Sequence, residues 1–147
     1  MFYMITTQTK VYDAATIAKY IVASERERGV LLTLPKLFNL MYYLQAAYLV
    51  KMGMPCFYDA IEAGRDGPEI PSLKKIVKST KGIVLVRDFD DVGEGVGDID
   101  KTLISSMLKP GIDLSGRTIQ RQIPWISAYC NKDNNVISWT SLVDYFG

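Results

Sequence analysis

The sequence predicts a mainly α fold. Residues 1–147 form a single compact domain of six or seven helices around a central buried helix at about 33–52, with room for one small strand pair. Three observations predict this. Residues 34–52 are apolar on nearly every helical face, yet the longest uncharged stretch, Leu37 to Val50, is broken by Asn39 and Gln45 and is shorter than the roughly 20 residues that span a bilayer, so the helix reads as the middle of a globular core. Proline and glycine cut the rest of the chain into short amphipathic segments with polar caps. A length of 147 residues suits one domain, and 48% hydrophobic with 22% charged residues excludes disorder of the whole chain.

The first helix starts after Asp13, whose carboxylate can accept from an otherwise unpaired N–H of the first turn. Ala14, Ile17, Ala18, Ile21 and Val22 make its apolar stripe. Glu25 to Arg28 alternate in sign as a solvated end, and Gly29 stops the helix. Thr33 caps the second helix, and Pro35 fits its first turn because a missing N–H is harmless there. Leu37, Met41, Leu44 and Tyr48 lie on its main stripe, Gly53 ends it, and Pro55 prevents resumption. A long connection follows from Cys56 to Pro71, and then a third helix from Ser72, its cap, to about Thr80. Ile83–Val86 is the place for the strand pair, or for more helix; four apolar residues do not decide between them.

Asp88, Asp90, Asp91, Glu94, Asp98 and Asp100, interleaved with Gly93, Gly95 and Gly97, read as a solvated loop. The fourth helix spans about Asp98 to Leu108 and is broken at Pro110 and Gly111. Asp113 caps a fifth, Leu114 to about Gln122. A short helix opens at Pro124 and Trp125 and runs through Tyr129, and Ser138 caps a last one carrying Trp139, Leu142, Val143, Tyr145 and Phe146.

The chain has no histidine. This excludes Ser-His-Asp and Cys-His nucleophiles, HExxH metal sites and a histidine proton shuttle. Cys56 and Cys130 are too few for a disulfide scaffold or a structural zinc site, and both read as reduced, buried thiols. With 17 basic and 16 acidic residues the net charge is +1, which does not suit general binding to nucleic acid. Met1 to Gln8 lack the basic and apolar regions of a signal peptide, so the expected compartment is the cytoplasm. No cofactor, metal or membrane partner is expected. A compact domain that is not an enzyme is the reading that composition supports.

Four motifs have plainer readings. Gly93-Glu94-Gly95-Val96-Gly97 spaces its glycines at every second position, unlike the dinucleotide fingerprint, and reads as a surface loop. The acidic run offers carboxylate oxygens for a cation but lacks the EF-hand pattern. Ser106 to Lys109 matches S-x-x-K without the companion motifs of acyl enzymes. Lys74, Lys75, Lys78, Lys81 and Arg87 form a basic stretch, read as a solvated face or as a contact for phosphate backbone or an acidic protein face.

The block from Thr33 to Pro71 carries the strongest signal. Leu34-Pro35-Lys36-Leu37-Phe38-Asn39-Leu40-Met41-Tyr42-Tyr43-Leu44-Gln45-Ala46-Ala47-Tyr48-Leu49 resembles the signature helix of the Panacea antitoxin domain family, which includes SocA-type antitoxins and phage-associated GepA-type proteins. Gly53-Met54-Pro55-Cys56-Phe57, Ile61-Glu62-Ala63, Gly67-Pro68 and Ile70-Pro71 follow in the family's order and spacing. Pro124-Trp125-Ile126-Ser127-Ala128-Tyr129 is similar to its G-P-W-x-x-A motif, and the closing Val143-Asp144-Tyr145-Phe146 to its last helix. The chain departs from the family where Gly64 replaces a tryptophan, Asp66 an aromatic residue, Glu69 a valine and Lys74 a tyrosine.

The resemblance implies an antitoxin that neutralises a cognate toxin by direct stoichiometric binding. The alternatives are an adaptor that delivers the toxin to a protease, or a phage- or plasmid-borne module acting on host replication or defence. The divergent face from Glu62 to Lys75 is the expected docking surface, because prolines and a short loop present its charges with little entropy to lose. Tyr58, Glu62, Arg65, Asp66, Glu69 and Lys74 are the candidate partner-binding residues, led by Tyr58 and Arg65 because aromatics and arginine concentrate interface energy. The competing enzyme class would have to use Glu62, Asp66 and Glu69 as acids and bases.

Overall fold

The computed structural model describes residues 10–78, 82–108 and 115–147. Among them are seven helices and one two-stranded antiparallel hairpin. The helices are α1 (Ala14–Glu27), α2 (Leu34–Met52), α3 (Pro71–Lys74), α4 (Asp98–Met107), α5 (Gly116–Ile119), α6 (Ile123–Tyr129) and α7 (Trp139–Phe146). The hairpin strands are β1 (Glu62–Gly64) and β2 (Gly67–Glu69). No helix among the described residues is long and apolar enough to cross a membrane.

Local chemistry sets the longer helices. Asp13 Oδ1 accepts from the Thr16 amide at 2.8 Å and from its hydroxyl at 2.6 Å, which closes the first turn of α1. Gly29 takes φ 79° just after the end of α1. Thr33 caps α2 through the Lys36 amide, and Gly53 ends it in the left-handed region at φ 69°. Ser138 does the same work for α7 through the Ser141 amide at 3.1 Å.

Helix α2 is the axis of the molecule. It touches α1, α4, α5, α7 and β2, and Leu37, Met41, Tyr42, Leu44 and Tyr48 on it are fully buried. Its polar interruptions organise the neighbouring loop. Gln45 is fully buried; its Oε1 accepts from the amides of Cys56 and Phe57, and its Nε2 donates to the Phe57 carbonyl at 2.7 Å. Loop 56–58 is thereby held against α2, and it pairs with the segment before α1: the Tyr12 amide donates to Cys56 and the Tyr58 amide to Tyr12.

Several elements differ from the sequence expectation. The strand pair is not at Ile83–Val86 but inside the connection 56–71. Ile83 makes only an isolated bridge to Thr33, because the partner segment turns into α2 directly after that residue. Asp88 Oδ2 then accepts from the Leu85 amide and closes residues 86–89 into a 3-10 turn. Helix α3 is one turn, Pro71–Lys74, rather than a helix reaching Thr80. Ser72 does not cap it, since its hydroxyl donates to Asp59 Oδ2 at 2.6 Å. Thr80 and Lys81 lie outside the described residues. Helix α5 begins after Ser115, whose hydroxyl accepts from the Arg117 amide; the expected cap Asp113 and start Leu114 lie outside the described residues, as do Lys109, Pro110 and Gly111. Of the expected solvated acidic run, Asp100 is buried.

Candidate interaction site

The hairpin follows from a short sequence, Gly64-Arg65-Asp66-Gly67. Strand residues pair as Glu62 with Glu69, Ala63 with Pro68 and Gly64 with Gly67. Arg65 and Asp66 form the two-residue turn, and Gly67 at φ 143° takes a backbone conformation closed to other residues. Pro68 has no amide to offer, so β2 is not a template for a further strand.

Distant residues fasten this hairpin. The Trp125 indole donates to the Gly64 carbonyl at 3.2 Å, and Gln120 Nε2 donates to the Arg65 carbonyl at 2.8 Å. The Ala63 amide donates to Asn135, and the Ile137 amide to Ile61, so an extended segment before α7 runs along β1. Gly116 packs so closely under the turn that a Cβ there would strike the Asp66 carbonyl. The turn is thus held on a rigid support, the condition under which a loop binds with little loss of entropy.

Between β2, α3 and the start of α2 lies a recess of about 210 Å³. Leu34, Pro35, Phe38 and Pro68 supply its apolar floor and walls, and Asp66, Glu69 and Lys74 its charged rim. Lys74 Nζ meets Glu69 Oε1 at 3.1 Å. The pair is solvated, with 53% and 34% of the side chains exposed, so it contributes at most ~1 kcal/mol. Glu69 also lies over Gly64, where a Cβ would meet its side chain. The Asp66 carboxylate is exposed and has no partner among the described residues.

Of the six residues singled out from sequence, Asp66, Glu69 and Lys74 therefore converge on one recess. Arg65 stands exposed beside them at the turn. Glu62 is half-buried opposite Glu69 and bridges to Val136. Tyr58 does not line the recess. Its 62%-exposed ring neighbours Asp13, Asp59 and Glu94, and its phenol is raised above the ordinary value, by partial desolvation first and then by those carboxylates. The floor residues Leu34, Pro35, Phe38 and Pro68 read in the sequence only as framework. Gln120 carried no signal there at all.

A second constellation, in the core, joins three elements. The Tyr12 and Tyr48 hydroxyls donate to the two oxygens of Asp100, each at 2.7 Å, and the Gly97 amide donates to the Tyr12 hydroxyl at 3.0 Å. Burial pushes Tyr12 up to about 12 against the pull of the Gly97 amide, with Asp100 adding to the rise. Burial also raises Tyr48 and the neighbouring Cys56 thiol. A buried thiol held protonated is a poor nucleophile. Cys130, expected in the core, is exposed at the end of α6 instead. No group of three or more acidic or cysteine residues among the described residues is placed to hold a metal ion.

Helix α6 carries no charged residue and exposes Ile123, Ile126 and Tyr129; Trp139 and Val143 are exposed on α7. Comparison with protein-family models, with curated proteins and with solved structures finds no match to the chain.

Proposed function

We propose that this chain is a protein-binding domain of the antitoxin type, which neutralises a cognate toxin by stoichiometric binding that masks the toxin's active surface. The observation that carries the reading is the recess beside the hairpin. Three of the residues at which the chain departs from the Panacea pattern, Asp66, Glu69 and Lys74, meet there around an apolar floor. A charged rim around an apolar centre, on a turn fastened by Trp125 and Gln120, has the anatomy of an interface hot spot. The motif order from Gly53 to Pro71 supports membership of that family as a divergent member. In this reading the protein acts in the cytoplasm, needs no cofactor and performs no catalysis.

The test is co-expression with the product of the adjacent reading frame, scored for growth rescue and co-purification. Rescue with a stable complex supports masking. Rescue with loss of the toxin itself, reversed in a protease-deficient host, identifies the adaptor mechanism instead. No rescue and no complex removes the antitoxin reading.

A further inference from the structure

We infer that the recess beside the hairpin receives a segment of a partner protein in which one large apolar side chain neighbours a basic residue. This rests on the protein-binding role proposed above and names the chemistry of what is bound. Three observations lead there.

The first is size. A cavity of about 150 Å³ in a protein core takes up benzene. A recess of about 210 Å³ therefore has room for one leucine or phenylalanine side chain, and not for a folded element. The second is lining. Phe38 and Pro68 are buried, and with Leu34 and Pro35 they present carbon rather than hydrogen-bonding groups to whatever enters. An apolar side chain seated there leaves water without stranding a polar atom.

The third is charge. Of the rim groups, Lys74 and Glu69 already neutralise each other at 3.1 Å. Asp66 alone is left as an exposed carboxylate without a partner among the described residues. Among the residues that line the recess the unpaired charge is that of Asp66, with Arg65 exposed beside it on the turn but outside the lining, so the complementary neighbour of the apolar side chain is a cation. The short turn and its two carbonyl anchors hold Asp66 at one place on the rim, which makes the relation of apolar side chain to cation a matter of geometry and not of charge alone.

The test uses the full chain and synthetic probes, independently of any toxin. Hexapeptides Gly-Ser-Leu-Arg-Ser-Gly, Gly-Ser-Leu-Glu-Ser-Gly and Gly-Ser-Ser-Arg-Ser-Gly are titrated into ¹⁵N-labelled protein, and amide shifts are followed. The expected result is saturable shifts centred on Phe38, Asp66 to Glu69 and Lys74 with the Leu-Arg peptide. The Leu-Glu peptide should bind about three- to fivefold more weakly, the effect of one exposed ion pair, and the Ser-Arg peptide should lose the Phe38 shift. Asp66→Asn, at an exposed side chain without partners, should keep the fold and abolish the preference for arginine over glutamate. Equal binding of both leucine peptides, or shifts confined to the exposed faces of α6 and α7, would overturn the inference. Its failure is separable from that of the antitoxin reading. Toxin capture by a chain that shows no Leu-Arg preference removes the partner chemistry alone, whereas peptide binding at the recess without toxin rescue removes the antitoxin role alone.

Discussion

Tyr48 and Asp100 are 52 residues apart in the chain and 2.7 Å apart in the fold, with the phenol of α2 donating to the carboxylate in the first turn of α4. Tyr12 donates to the other oxygen and ties in the segment before α1. Replacing Asp100 by Ala strands two buried hydroxyls and should reduce stability by about 2–4 kcal/mol. Tyr48→Phe removes one donor from the buried carboxylate and leaves the Tyr12 bond, so its loss should be about 1.5–3 kcal/mol and below that of Asp100→Ala. Urea unfolding of both variants checks the ranking. An Asp100→Ala loss no larger than that of Tyr48→Phe would mean that the carboxylate is not the centre of the network.

The same cluster predicts a response to alkaline pH. Tyr12 titrates near 12 in the folded chain and near 10 when unfolded. The folded state therefore holds its proton more tightly. The stability this contributes is complete below pH 10 and is lost as pH rises from about 10 to about 12. Each such tyrosine adds a slope of about 1.4 kcal/mol per pH unit, and Tyr42 and Tyr48, also raised by burial, act in the same direction. Urea midpoints measured across this interval should fall steeply, and less steeply in Tyr12→Phe. A flat profile counts against the buried phenols.

Leu44 sits on the inner stripe of α2 with no exposed surface. Leu44→Ala should cost about 2–5 kcal/mol, the range for a leucine truncated in a packed core. A denaturant melt showing a loss under about 1 kcal/mol would place α2 at the periphery.

The hairpin's support should matter to binding as well as to stability. Gly116→Ala drives a methyl group into the Asp66 carbonyl and must displace the turn. A loss of about 1–3 kcal/mol is expected in thermal or urea melts. Capture of the partner should weaken beyond what the loss of folded protein explains. Trp125→Phe, which removes the donor to Gly64, should act in the same sense and more mildly, by about 1 kcal/mol.

Charge reversal at the turn tests the surface directly. Asp66→Lys or Arg65→Glu should weaken partner binding by about 1–3 kcal/mol and leave the fold intact, since both side chains are exposed. Pull-down with circular dichroism on the same samples is the check. Unchanged recovery by a folded variant removes this surface from the account.

The amino-acid sequence by itself determined α1, α2, α6 and α7. Their signals are local. Asp13, Thr33 and Ser138 reach an amide three residues on, Gly53 stops α2 by its own backbone freedom, and the apolar residues of α2 repeat at helical spacing. A short-range interaction leaves its trace in neighbouring residues and can be read there. The recess residues Asp66, Glu69 and Lys74 were legible as charged departures from the pattern the chain resembles, but nothing local says that they surround Leu34, Pro35 and Phe38. Only the tertiary structure decided where the strand pair forms. Gly64 and Arg65 receive their anchoring donors from Trp125 and Gln120, 61 and 55 residues away. Asp100 was misread for the same reason. Among five other acidic residues and three glycines it looks solvated, and it is buried because two tyrosines, 52 and 88 residues distant, arrive with the hydrogen bonds that a carboxylate needs away from water.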